Sequence, residues 1–417
     1  MTSAEAGSGL WRHHDFLHLW AGQTISQFGT QISRLALPFV AIMVLDASAF
    51  EVSLLTALEF LPYLLFALPA GVWVDRLRRK PILVLADLGR AAALVTIPLA
   101  AAFDAITIGQ LYVVGFAVGA LSVFFDLAYQ SYLPALVGQR QLVDANAKVE
   151  VTRSAAQVGG PGLAGLLVAA LTAPYAVAAD ALSFVASAVF LLRMRTIEPA
   201  IERPERRSVR AELVEGLRYL LSDARWRAFA GYAGSINFFA AIVLSILLVY
   251  AVRSLGLTAA QIGFVLAVSN AGSIVAALTA ERIAGRLGVG PTMILGGILS
   301  GVPLLLLPLA SDDWAIPLLL APLVVQAYGI VLFNVTGISY VQAVVPDRML
   351  GRMTASRRFI VWGTIPLGSL TGGVLASTIG LHDTIAVGAI GATFCFLWLV
   401  FSPFRSTYAV PALEADA

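Results

Sequence analysis

Arg34 and Glu59 stand inside apolar stretches, where a charge is costly and a functional role is the first hypothesis. Arg34 lies about ten residues from the outer end of one stretch and Glu59 about seven from the outer end of the next. At 1.5 Å per residue their depths differ by roughly 5 Å, within reach of two long side chains, so an ion pair is expected. In one reading Glu59 exchanges Arg34 for a proton, because burial and a nearby cation pull its protonation in opposite directions. In the other, the pair only clips two helices together. Asp87 and Arg90, one helical turn apart, and Asp180 are also at membrane depth and read as structural. Asn237, Gln326, Tyr328 and Asn334 are polar positions in otherwise apolar segments; each can line a cavity or bond a neighbouring helix.

These residues need a framework of helices. The 417-residue chain is 59% hydrophobic and 12% charged, about half the charge fraction of an ordinary soluble domain. Apolar runs near the roughly 20 residues that a spanning helix requires occur about twelve times: 17–44, 52–74, 82–102, 108–131, 150–172, 175–193, 227–252, 260–280, 291–310, 314–338, 355–378 and 384–402. Hydrocarbon cannot hydrogen-bond a backbone, and the alternating strands of a barrel are absent. The expected fold is therefore an all-α integral membrane protein. Of the 27 Lys and Arg, all but Arg34, Arg90 and Arg253 fall on the side of the termini, so both termini are expected in the cytoplasm. The opening "MTSAEAGSGLWRHHDF" is read as lacking a cleavable signal, leaving targeting to the first helix. Its histidines, His13, His14 and His18, lie between Trp11 and Trp20 and read as an interfacial approach to the membrane, not as a metal site. Cys395 alone can form neither an intramolecular disulfide nor a thiolate cluster.

The polar stretch 194–226 separates residues 17–193 from 227–402, flanked by segments 1–16 and 403–417. Pro199 and Pro204 break the start of this linker, whereas "RAELVEGLRYLLSDA" has the apolar spacing of a helix lying along the inner membrane face. The two parts resemble each other: "RLRRKP" at 76–81 matches "RLGVGP" at 286–291, and "RSAAQVGGP" at 153–161 matches "RFIVWGTIP" at 358–366. Twelve helices in two pseudo-symmetric six-helix bundles follow, an arrangement in which secondary transporters hold substrate near the midplane.

Between the second and third apolar runs stands "GVWVDRLRRK", residues 71–80. It resembles the G-x-x-x-D-[RK]-x-G-[RK]-[RK] signature of the major facilitator superfamily, with Gly71, Asp75, Arg76, Arg79 and Lys80 matching and Arg78 replacing a glycine. The resemblance implies a gating latch. Gly71 would permit close helix contact, and Asp75 would face a helix amino terminus, whose partial positive charge welcomes a carboxylate. Arg76 or Arg79 would pair with Asp126. "FLHLWAGQTISQFG", "FFDLAYQSYLPALV" and "LVDANAKVEVTRSAAQVGGPGLAGLLV" are similar to the branch of enterobactin exporters and macrolide efflux proteins. "GPGLAG" at 160–165 resembles an antiporter signature, making Gly160, Pro161 and Gly165 a hinge or a small-residue helix contact. Gln110 stands where many proton-coupled relatives carry Arg.

The resemblance implies export of a small, amphipathic, drug- or siderophore-like compound across the cell membrane by alternating access, driven by protons. The chain is expected to act as a monomer in the lipid bilayer, without cofactor, metal or nucleic acid. HExxH, GxSxG and Walker-type motifs are absent, so no residues carry hydrolysis or ATP-driven transport. Uptake, a non-transporting receptor and a membrane enzyme are the alternatives.

Overall fold

Long apolar stretches must close their backbone hydrogen bonds internally, and the chain does so as helices throughout. The computed structural model describes residues 10–74, 76–196 and 209–408. The long helices are α1 (His14–Phe39), α2 (Ala49–Val74), α3 (Arg79–Ala102), α4 (Ile108–Gly138), α5 (Gln141–Leu171) and α6 (Ala173–Arg193). Then come the short α7 (Val209–Ser222), followed by α8 (Ala224–Arg253), α9 (Ala259–Leu287), α10 (Val289–Leu309), α11 (Ala315–Val344), α12 (Asp347–Ile379) and α13 (Leu381–Val400). Gly138 takes φ 71°, a conformation that L side chains rarely adopt, and there the chain turns from α4 into α5. Helix α7 lies where the linker sequence has helical spacing; residues 197–208 of that linker are outside the described residues.

Eleven helical segments among the described residues are long and apolar enough to cross a membrane. The expected first apolar run, 17–44, is helical but is not among these eleven. Helix α1 is 26 residues long and continues as a π-turn over Val40–Val44, yet it falls short of the other eleven in apolarity. Gln23, Ser26 and Ser33 are buried along it, so its polar face packs inside the protein and the helix need not be apolar all round.

The chain forms two compact units, residues 1–47 with 58–206, and residues 48–57 with 207–417. In the first, Phe16, Leu19, Val74, Leu83, Phe125 and Tyr132 belong to one buried apolar cluster. In the second, small residues bring helices together. A Cβ on Gly329 of α11 would lie 2.5 Å from the backbone nitrogen of Ser300 in α10, and one on Gly296 would lie 2.8 Å from that of Phe333. Phe229 of α8 stacks on Phe333 and Tyr232 meets it at a tilt, with ring centroids 5.3 and 4.3 Å away.

Candidate functional site

Within the first unit, four helices line a cavity of about 70 Å³, room for a few waters. Helix α1 contributes Ser33 and Arg34, α2 contributes Glu59 and Tyr63, α4 contributes Gly119 and Ser122, and α6 contributes Asp180. Their spacing explains the convergence. Glu59 and Tyr63 are four residues apart, and Asp180 and Ser183 three apart, so each pair shares one helix face. Gly119 sets the position of Glu59, since a Cβ there would lie 2.3 Å from the Glu59 carbonyl oxygen. Gly29 does the same for Asp180: its absent Cβ would fall 2.4 Å from Oδ1.

The expected Arg34–Glu59 ion pair is not formed. Both residues line the cavity, but among the described residues no nitrogen of Arg34 lies within 4.0 Å of a Glu59 oxygen. Arg34 is exposed, while Oε1 of Glu59 is buried without a hydrogen-bond partner. Both side chains face the cavity in place of a direct contact. The Ser183 hydroxyl donates to Oδ1 of Asp180 at 2.9 Å.

Beside the cavity, Arg90 bonds to Asp87 and donates to Ser122 Oγ at 3.4 Å. Its guanidinium is held between the rings of Phe125 and Phe184, 4.4 and 4.1 Å from their centroids. This pair reads as a structural element joining α3, α4 and α6, although Asp87 Oδ2 and Arg90 Nε are buried without hydrogen-bond partners. Tyr63, which the sequence did not single out, donates to Asp126 Oδ2 at 3.0 Å. Its place one helical turn beyond Glu59 was the available signal.

Residues 71–80 divide. Asp75 lies outside the described residues. The close contact expected at Gly71 is absent, because a Cβ there would meet nothing within 4 Å. The exposed Arg76 has no side-chain partner among the described residues, so it does not pair with Asp126; Arg79 is half-buried at the start of α3. Lys80 instead donates to the carbonyl of Met194 at 2.7 Å, at the carboxyl end of α6, where a cation meets unsatisfied carbonyls. Asp15 completes this junction, accepting from the backbone nitrogens of Arg195 at 2.9 Å and Thr196 at 2.6 Å. Burial pushes the Asp15 carboxyl up, but the hydrogen bonds from Thr196, His14 and the Arg195 backbone outweigh it and hold the group well below the usual carboxylate range. A nitrogen of His13 caps α1, accepting from the Phe16 amide at 3.1 Å.

Gly160 packs on α1, where its Cβ would lie 2.4 Å from that of Gln31; Pro161 and Gly165 are buried beside it. In the second unit Asn237 donates to the Ala233 carbonyl of its own helix at 2.7 Å, and Tyr328 meets Thr279 of α9 at 2.9 Å. Gln326 is buried and Asn334 half-buried. None of these four lines the cavity described above. Gln110 links α4 to α3 through the Thr96 carbonyl, at 3.0 Å.

The profile of the transmembrane secretion effector family matches residues 8–415. The chain belongs to that family. It is a major facilitator superfamily transporter of the efflux branch, a multi-pass membrane protein and not an enzyme. It is 25% identical to the multidrug efflux pump Tap of Mycolicibacterium fortuitum, over 90% of this chain and 92% of that one. It is 28% identical to macrolide efflux protein A of Streptococcus pyogenes, over 49% of this chain and 51% of that one. An uncharacterized MFS-type transporter, YfiS, of Bacillus subtilis is 28% identical over 87% of each chain. Among solved structures, the nucleoside transporter NupG superposes with a TM-score of 0.75 at 14% identity, covering 94% of this chain and 99% of that one. That likeness concerns the fold alone.

Proposed function

We propose that this transporter is a secondary active exporter of small amphipathic organic compounds, coupled to proton influx. It would cross the membrane twelve times in two six-helix bundles, with both termini cytoplasmic. Efflux relatives covering most of the chain support export over uptake, and α1 supplies the twelfth crossing because its polar residues face inward. The observation that carries proton coupling is Glu59, an acid at membrane depth with an unpartnered oxygen in a cavity beside Arg34. Such a group can exchange a proton without breaking a structural bond.

In this reading the latch comprises Gly71, Asp75, Arg76, Arg79, Lys80 and Asp126. Gly160, Pro161 and Gly165 let α5 bend against α1, and Asn237, Gln326, Tyr328 and Asn334 contact substrate. The test uses purified protein in proteoliposomes, with macrolides and other amphipathic compounds as substrates and an imposed pH difference as the only driving force. Wild type accumulates substrate against its gradient. Glu59→Gln retains energy-independent counterflow but loses uphill transport, because the amide mimics a permanently protonated carrier. Uphill transport by Glu59→Gln, driven by the pH difference alone, would refute the role of Glu59.

A further inference from the structure

The cavity that holds Glu59 contains a second acid with no assigned part in coupling. Asp180 is 1% exposed, lies on α6 and lines the same space. Its position is built. The backbone of α1 comes so close at Gly29 that a Cβ would overlap both Asp180 Oδ1 and Ser183 Oγ, and the Ser183 hydroxyl lies 2.9 Å from the carboxyl and 2.8 Å from the Asp180 main-chain carbonyl, within donating distance of both. Ser33 of α1 stands beside the Asp180 carboxyl, and Glu59 Oε1 is buried there without a hydrogen-bond partner.

Charge decides what such a pair of acids can be. The groups facing the cavity are Arg34 from α1, Glu59 and Tyr63 from α2, and Asp180 from α6. Tyr63 is engaged with Asp126 of α4. From α3, Arg90 is closed on Asp87, and α5 contributes no lining residue. Two carboxyls therefore face one guanidinium that touches neither. Both ionised would place two negative charges on buried carboxyl oxygens facing a single cation, which is costly. One ionised and one neutral balances Arg34.

We propose that Asp180 is the second proton-carrying carboxyl of this site, sharing one proton with Glu59 across the cavity at rest. The inference rests on the proton-coupled reading of Glu59. In the resting cavity one carboxyl is neutral, one is charged, and Arg34 balances the charge. Uptake of a second proton leaves both carboxyls neutral and Arg34 uncompensated, a state that release of that proton relieves. Asp180 is then a proton-binding residue and Ser183 its positioning residue.

The test is infrared difference spectroscopy on the full-length protein in lipid at neutral pH, reading the carbonyl stretch of protonated carboxyls as wild type minus variant. It needs neither substrate nor gradient, so it stands apart from the transport assay on Glu59. If the proton is shared, Asp180→Asn and Glu59→Gln each remove the same protonated-carboxyl band, because either acid left alone with Arg34 ionises. A band that survives Glu59→Gln would place the proton on Asp180 independently and overturn sharing. No protonated band in the Asp180→Asn difference would overturn the proposal altogether. Asn keeps an acceptor for Ser183, which favours folding. Ser183→Ala gives a second readout: the Asp180 band persists but shifts in frequency on losing its hydrogen bond, and an unshifted band would refute the assignment.

Discussion

The two units of the chain bury different chemistry. In the first, Asp15, Asp87, Arg90 and Asp180 are buried, with Glu59 and Arg34 around a cavity beside them. In the second, the buried polar side chains among the described residues are hydroxyls and one amide, Gln326, set among close glycine contacts and stacked rings. An acid at membrane depth can change its charge during a transport cycle, whereas a hydroxyl bonded to its own helix cannot. The first unit should therefore be the sensitive one when charge is removed, and the second when volume is added.

The largest expected effect is on charge. Asp87→Ala would strand the Arg90 guanidinium between Phe125 and Phe184 with no carboxylate. Breaking a buried pair in this way costs about 3–5 kcal/mol, a large part of a typical folding stability. The thermal unfolding midpoint of the purified protein should fall steeply. Replacing both partners with leucine should recover part of the loss, since no buried charge then remains. If Asp87→Ala unfolds at the wild-type temperature, the buried charges of the first unit are not what distinguishes it.

Volume is the second unit's counterpart. Gly329→Ala places a Cβ against the Ser300 backbone nitrogen at 2.5 Å, where backbone must move, and overpacking costs about 1–3 kcal/mol. The same substitution at Gly71, where a Cβ meets nothing within 4 Å, should leave the unfolding midpoint nearly unchanged. Equal losses at the two positions would mean that neither close approach governs stability.

Much of this contrast was legible in the sequence. Length and hydropathy gave the helices, because a spanning segment must be continuous and apolar to satisfy its own backbone. The first run is less apolar than the rest, and its polar residues Gln23, Ser26 and Ser33 are buried along the helix. Arg34, Glu59 and Asp180 were visible as charges at depth, but depth along a helix carries no azimuth. Arg34 and Glu59 thus reach one cavity without touching, and Asp180, read as structural, opens onto it. Tyr63, Gly29 and Gly119 escaped notice because a phenol or a glycine in an apolar run has no meaning until the facing helix is known.

A smaller effect is expected where a neutral group serves the charged cluster. Tyr63→Phe removes the hydroxyl that donates to Asp126, a bond to a charged group worth about 1.5–3 kcal/mol at most, and less where other contacts persist. Stability should drop modestly while transport slows. The double change Tyr63→Phe with Asp126→Asn should be less than additive, and strict additivity in unfolding experiments would show that the two residues act separately.

The smallest effect tests the edge of the charged unit. Asp15 holds the Arg195 and Thr196 amides at the exit of α6, with Lys80 on the neighbouring Met194 carbonyl. Because its folded carboxyl titrates below the usual carboxylate range, its contribution is complete at neutral pH and is lost only as pH falls below that range. Asp15→Asn should leave global unfolding almost unchanged but speed hydrogen exchange at the Arg195 and Thr196 amides at neutral pH, and the difference from wild type should shrink on acidification as the native carboxylate takes up its proton. Equal exchange in both proteins at neutral pH would show that the charge on Asp15 does not secure this junction. The first unit's dependence on charge would then stop at the membrane interior.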